Sequence, residues 1–282
     1  MFDNTGNEDF LPVEDYSFLL YSCVMKMPVV IFCGGTGTRM KEETEFRPKP
    51  MVNVGGHPIL WHIMKIYEHH GFNEFIVALG YKGDYIKNYF INQEYFLHDL
   101  TVNTKTGKSK IFRNSKRRHD DFKITFVDTG IETLTGERLL KVKKYIKTDN
   151  FMVTYGDGVG TVNIKELAAY HKEKNVTGVI TGIHPKSKWG LVIADEKNIV
   201  QEFRQKPVLG EFVNGGFMVF KKEFFKYLQP REMIEVSLAR LMKDKKLAVY
   251  HHEGFWSAMD TYADVEDMNK LWKKNPVWKV WK

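Results

Sequence analysis

The chain has 282 residues, 43% hydrophobic and 27% charged, a balance that argues against a disordered, fibrous or membrane chain and leaves ample material for a core. The formal net charge of +7 admits anionic partners, but much of the excess is one run, Lys105 to Arg118; it reads as a solvated basic loop, and no nucleic-acid module accompanies it. Only 2 cysteines occur, Cys23 and Cys33, too few for a disulfide-stapled secreted fold, so the chain reads as cytoplasmic.

Residues 1–26 carry Asp3, Glu8, Asp9, Glu14 and Asp15, then an apolar stretch from Tyr16 to Met25. An acidic start is unlike a signal peptide, and the stretch is about half the roughly 20 residues that span a bilayer. The expectation is an N-terminal arm or an upstream start, one domain over 27–282, and no membrane partner. From Met27 onward short apolar runs alternate with amphipathic stretches. Residues 28–33 form a buried strand stopped by Gly34-Gly35, and 58–70 a helix whose proline suits the first turn and which Gly71 closes. Residues 74–79 are a strand and 84–91 a helix. Then come a strand at 123–127, a helix at 137–146, a strand at 151–155 and a helix at 163–174 capped by Asn163. Strand and helix in alternation predict an α/β fold with a doubly wound parallel sheet. The second half is richer in β: strands at 176–183, 190–194, 199–203 and 212–220, helices at 222–228 and 231–243, a strand at 247–251 and a last helix at 263–273.

The sharpest local feature is Gly34-Gly35-Thr36-Gly37-Thr38-Arg39, directly after the first strand. Glycines there let backbone N–H groups approach phosphate oxygens, and Arg39 adds a planar cationic fork. The loop lacks the Gly-Lys-Ser/Thr ending of a Walker loop, and Met40 stands where the dinucleotide fingerprint needs its third glycine. The competing reading is a glycine turn that binds nothing. Next comes Arg47-Pro48-Lys49-Pro50-Met51. Its prolines are expected to hold Lys49 extended, making it a second phosphate clamp or a plain surface lysine. Gly156-Asp157-Gly158 ends a strand, at the rim where open α/β sheets bind ligands, and Asp260 lies in a second glycine- and aromatic-rich block. Two carboxylates suffice for magnesium when phosphates and water complete its shell, although either aspartate could instead cap a helix or turn. His69-His70 and His251-His252 point apart and make poor joint ligands. Trp272, Trp278 and Trp281 read as cover for the core or a subunit contact.

Gly-Gly-x-Gly-Thr-Arg followed by Lys-Pro resembles the signature of sugar-1-phosphate nucleotidyltransferases. The likeness runs on through Pro58 to Met64, Gly80-Tyr81-Lys82-Gly83, Val127-Asp128-Thr129-Gly130, Thr135-Gly136-x-Arg138-Leu139, Tyr155 to Gly158, Asn214 to Phe217 and Gly254 to Thr261. The Val-Asp-Thr-Gly and Gly-Phe-Trp blocks resemble the cytidylyltransferase branch that uses glucose 1-phosphate. The resemblance implies a Rossmann-like nucleotidyltransferase fold with a mostly parallel mixed sheet, and Mg2+ held by Asp157 and Asp260. It implies Arg39 and Lys49 as catalytic groups, and a nucleotide site of Phe32, Cys33, Gly34, Gly35, Thr36, Gly37, Thr38, Gly80, Thr133, Arg138 and Gly156. Without it, Arg138 reads as an exposed residue early in a helix. Sugar contacts are implied at Gln205, Lys206 and Asn214. Two departures stand out: Gln205 replaces a glutamate, and Phe32-Cys33 replaces Leu-Ala. The implied partners are a nucleoside triphosphate and a sugar 1-phosphate, on a homo-oligomer with no nucleic-acid partner. The competing readings are uridylyl or thymidylyl transfer and a silent nucleotide-sugar-binding subunit. Against the last, Arg39, Lys49, Asp157, Lys206 and Asp260 are all present.

Overall fold

The computed structural model describes residues 26–113, 120–187 and 189–281; the expected N-terminal arm and the end of the basic run lie outside them. The main elements are β1 (Val29–Cys33), α1 (Ile59–His69), β2 (Glu74–Leu79), α2 (Gly83–Ile91), β3 (Lys123–Asp128), α3 (Thr135–Val142), β4 (Asn150–Tyr155), β5 (Gly158–Gly160), α4 (Ile164–Lys174), β6 (Gly178–Ile183), β7 (Leu191–Ala194), β8 (Val200–Arg204), β9 (Val213–Lys221), α5 (Ile234–Lys243), β10 (Leu247–His252), β11 (Trp256–Ala258) and α6 (Tyr262–Lys274).

Seven of these strands form one sheet in the order β10-β6-β9-β4-β1-β2-β3. Strand β9 runs antiparallel to both neighbours, β4 and β6; every other pairing in the sheet is parallel. The expected mixed, mostly parallel sheet is therefore observed. Strand β1 is apolar throughout and wholly buried, as a central parallel strand covered on both faces must be. Its two-residue period divides the core. Val29, Ile31 and Cys33 face a layer built from α1, α4 and α6, while Val30 and Phe32 face one built from α3 and α5. Strand β2 leads away from β1 on one side and β4 lies on the other. The chain thus reverses its winding between β1 and β4, and the crevice at their carboxyl ends is where such sheets bind ligands.

Several local expectations are adjusted. Pro58 stands just before α1 rather than in its first turn, paired with Asn53. The expected helix at 222–228 is a 3-10 stretch over Lys222–Lys226. The start of the basic run is not a loop: Asp99–Asn103 and Lys108–Phe112 pair as an exposed antiparallel hairpin, and the Asn103 side chain accepts from the N–H groups of Lys105 and Thr106 to close its turn. Asn163 caps α4 as expected, accepting from the Glu166 N–H. Strands β7 and β8 form a second hairpin, exposed along its whole length. Among the described residues no helix is long and apolar enough to cross a membrane.

Candidate active site

The glycine loop leaves β1 at the winding reversal, and each of its glycines has a different cause. A Cβ at Gly34 would lie 2.1 Å from Arg138 Nη1, so that space is filled by a guanidinium and not kept open for phosphate. Gly37 has φ +64, and a Cβ there would meet Thr44 Cγ2 at 2.7 Å. At Gly35 nothing stands within 4 Å of the added carbon, so this is where a ligand can approach the backbone. The loop runs into a 3-10 turn, Thr38–Met40, fastened by Thr44, whose hydroxyl donates to the carbonyls of Gly37 and Met40.

Arg138 is buried, 3% exposed, where sequence alone suggested an exposed position. Nη1 donates to Leu79 O at 3.0 Å, Thr129 Oγ1 at 2.6 Å and Gly130 O at 2.8 Å. Nη2 donates to Gly34 O and Ile131 O, both at 3.0 Å. One planar fork thus joins the carboxyl ends of β1, β2 and β3, a task a lysine's single point charge cannot do. Burial pushes its pKa down. Gly80 lies beneath this knot: its Cβ would come within 2.6 Å of Gly34 O, and the next N–H, of Tyr81, donates to that carbonyl at 3.2 Å. Thr133 donates to Thr129 O and accepts from Lys141 Nζ at 2.9 Å, which steadies the facing loop.

Between the loops lies a cavity of about 820 Å³. Of the expected nucleotide and catalytic set, Phe32, Cys33, Gly34, Gly35, Thr36, Gly37, Thr38, Arg39, Lys49, Thr133, Arg138 and Gly156 line it, with Asp157. Gly80 supports it from behind and is not in its wall. The Cys33 thiol is driven up in pKa by burial and the nearby Asp157 charge, so it lines the floor as an inert group. Tyr155, Met233, Ile131, Glu132 and Leu134 also line the cavity and were not named as site residues from the sequence. Tyr155 had a signal in its place before Gly156-Asp157; Met233 arrives from a distant loop and had none.

The acidic pair is assembled by a small ladder. Strands β5 and β11 pair antiparallel, Gly158 opposite Ala258, and Met259 N donates to Asp157 O at 2.9 Å. Asp157 and Asp260, distant in sequence, thereby face one another. Asp260 does not cap α6, although sequence left that open. Thr261 is the cap, in a capping box with Asp264, whose carboxylate also accepts from the Asp260 N–H. Lys49 Nζ sits between the two carboxylates, 2.7 Å from Asp157 Oδ2 and 2.9 Å from Asp260 Oδ1, and Arg39 Nη1 is 3.9 Å from Asp260 Oδ2. Burial pulls the Lys49 pKa down, but the charges and hydrogen bonds of Asp157 and Asp260 outweigh it, and the net shift is upward. Its prolines do not hold Lys49 extended: Lys49–Met51 is a 3-10 turn, closed by Val52 N to Lys49 O at 3.1 Å, with Pro50 and Met51 buried. Burial of the turn overrides the pre-proline bias. The donor set fits a hard divalent cation. Two carboxylates, about a third exposed, converge on one cationic atom, and magnesium needs no more protein ligands than that.

Asn214 begins β9 beside the Tyr155 end of β4, and its side chain accepts from Gly216 N at 2.9 Å. Gln205 and Lys206 end the β7–β8 hairpin, exposed, with Lys206 at φ 48. These three residues are not in the cavity wall.

The family described as Nucleotidyl transferase matches residues 28–276, and the chain belongs to that family. More particularly, it is 44% identical over 260 residues to a Bacillus subtilis (strain 168) protein named "Probable glucose-1-phosphate cytidylyltransferase", covering 90% of this chain and 100% of that one. It is 38% identical over 262 residues to the glucose-1-phosphate cytidylyltransferase of Salmonella typhi, again covering 90% and 100%. Among solved structures, HddC from Yersinia pseudotuberculosis complexed with GMP-PN superposes with a TM-score of 0.64 at 22% identity, over 87% of this chain and 99% of that chain. A UDP-glucose pyrophosphorylase complexed with UDP-glucose gives 0.64 at 14% identity, over 89% and 99%. These last two likenesses are of fold.

Proposed function

We propose that the chain transfers a cytidylyl group from CTP to glucose 1-phosphate, releasing pyrophosphate. The observation that carries the reading is the meeting of Arg39, Lys49, Asp157 and Asp260 at the mouth of a cavity floored by the glycine loop. The triphosphate lies over Gly35, its base toward the loops tied by Arg138. Mg2+, held by Asp157 and Asp260, supplies charge neutralisation at the phosphates. Arg39 and Lys49 turn toward the β- and γ-phosphates and take up the charge that develops on the departing pyrophosphate. An oxygen of the sugar 1-phosphate attacks the α-phosphorus in line. A P–O bond forms to it as the bond to the pyrophosphate oxygen breaks. The phosphate is already a nucleophile, so the protein positions and screens charge, and no covalent enzyme intermediate is needed. Asn214 and, when the β7–β8 hairpin reaches the substrate, Gln205 and Lys206 orient the sugar phosphate. The same reading includes a homo-oligomer, in which a second copy covers exposed apolar residues such as Trp189 and Phe203.

A pyrophosphate-release assay crossing CTP, UTP, dTTP and GTP with several hexose 1-phosphates, with and without magnesium, tests the reading. The highest kcat/KM is expected for CTP with glucose 1-phosphate, with no turnover after chelation. Preference for another base would move the chain to a sibling activity, and no release with any pair would refute the transfer.

A further inference from the structure

The acidic pair already holds a cation, the ammonium of Lys49. Nζ is 2.7 Å from one carboxylate oxygen and 2.9 Å from the other, and Arg39 approaches the remaining oxygen of Asp260. Among the described residues, the two carboxylates thus face two cationic side chains. A divalent ion held by the same oxygens, at about 2.0–2.1 Å, would lie close to the ammonium, and like charges at that separation repel even when partly solvated. The three cations cannot share the pair.

The geometry also shows how the conflict resolves. Lys49 and Arg39 both line the small cleft that holds Asp260 and the larger cavity over the glycine loop. The Lys49 backbone is fixed in its 3-10 turn, but its four-carbon stem is free to swing. The side chain thus borders both the carboxylates and the cavity. An anion lying in the cavity gives it a new partner as it goes.

We propose that Lys49 is a placeholder for the divalent cation: in the empty enzyme its ammonium fills the position between Asp157 and Asp260, so metal is held weakly until the nucleotide's phosphates draw the lysine away. This rests on the reading of the two aspartates as the metal pair. Metal and nucleotide then strengthen one another's binding, and by linkage the coupling is reciprocal. Lys49 acts on the metal by vacating its place and is, in that respect, a positioning residue.

The test is Mn2+ binding to the full chain without substrate, followed by electron paramagnetic resonance and calorimetry. Lys49→Met keeps the stem and removes the charge. It is expected to bind Mn2+ about tenfold or more tightly than the wild type, which a merely structural lysine would not produce; equal or weaker binding overturns the placeholder. Lys49→Arg keeps the charge and is expected to bind as weakly as the wild type. A second measurement uses the wild type alone and so does not depend on a variant folding. The Lys49 amine is labelled with acetic anhydride and quantified by mass spectrometry, and saturating Mn2+ is expected to raise its labelling. No rise overturns the proposal. Asp157→Asn with Asp260→Asn separates the two levels: Mn2+ binding that survives both changes defeats the metal-pair reading itself and the proposal with it. If binding is abolished there yet not tightened in Lys49→Met, only the placeholder falls.

Discussion

A methyl group at Gly34 would lie 2.1 Å from Arg138 Nη1, so Gly34→Ala is expected to force the guanidinium off its five acceptors. A loss of about 1–3 kcal/mol is expected for such overpacking, read by urea denaturation, with a raised KM for the nucleotide. At Lys49 the expectation is catalytic. Lys49→Ala should lower kcat by about a hundred- to a thousandfold, the scale seen when one transition-state charge partner is removed; near-normal turnover in steady-state assays would remove the lysine from the mechanism. Side chains differed in how legible they were. Arg39 and Lys49 stand in short motifs whose chemistry is local. Arg138 was misjudged without the family likeness, because an arginine in the first turn of an amphipathic helix normally faces water, and its acceptors are four carbonyls and one hydroxyl contributed by three separate strand ends.

The helix start at α6 connects local stability to the acidic pair. Asp264 accepts from the N–H groups of Asp260 and Thr261 and from the Thr261 hydroxyl. Asp264→Ala removes the capping box, which should cost about 1 kcal/mol of stability, and it also frees the backbone that aims Asp260. The half-saturating magnesium concentration for activity should rise as the melting temperature falls; a change in melting alone would detach the cap from the site. Strands β1, β2 and β4 were legible because a strand buried on both faces carries a near-continuous apolar run. The β5–β11 ladder was not. It is three residues long on each side and pairs segments far apart in the chain, so no local pattern could announce that it delivers two aspartates to one point. The exposed hairpin of the basic run did carry a signal, Leu100 and Val102 alternating with Asp99, Thr101 and Asn103, but its second strand, Lys108–Phe112, lies in the lysine-rich run and neither strand is buried, so the charge pattern masked it.

At the scale of the molecule, a histidine in the helical layer around α1 is expected to contribute to acid sensitivity. His62 is fully buried, its Nε2 2.8 Å from Val54 O, among Trp61, Trp272, Trp278 and Trp281. Burial lowers its pKa from 6.5 to about 4. The unfolded chain therefore takes up a proton at this residue between pH 6.5 and 4 that the folded chain refuses, and stability falls as pH drops through that window. The loss should approach about 3 kcal/mol by pH 4. Melting temperatures measured from pH 7 to 4 should decline, and His62→Gln should flatten the decline; identical slopes would place the acid sensitivity elsewhere. The three tryptophans near the carboxyl end were expected to cover the core or a subunit contact. Trp278 is wholly buried in the core layer, and Trp272 and Trp281 pack against it.

The acidic pair draws one member from just after β4 and the other from the turn before α6, whereas the lysine between them precedes α1. A ribosome makes the glycine loop early and Asp260 late. A growing chain, or one cut short by a premature stop before that turn, carries the glycine loop without the second carboxylate of the pair. On the proposed reading, a product truncated before that turn would lack half of the metal pair and is expected to be inactive.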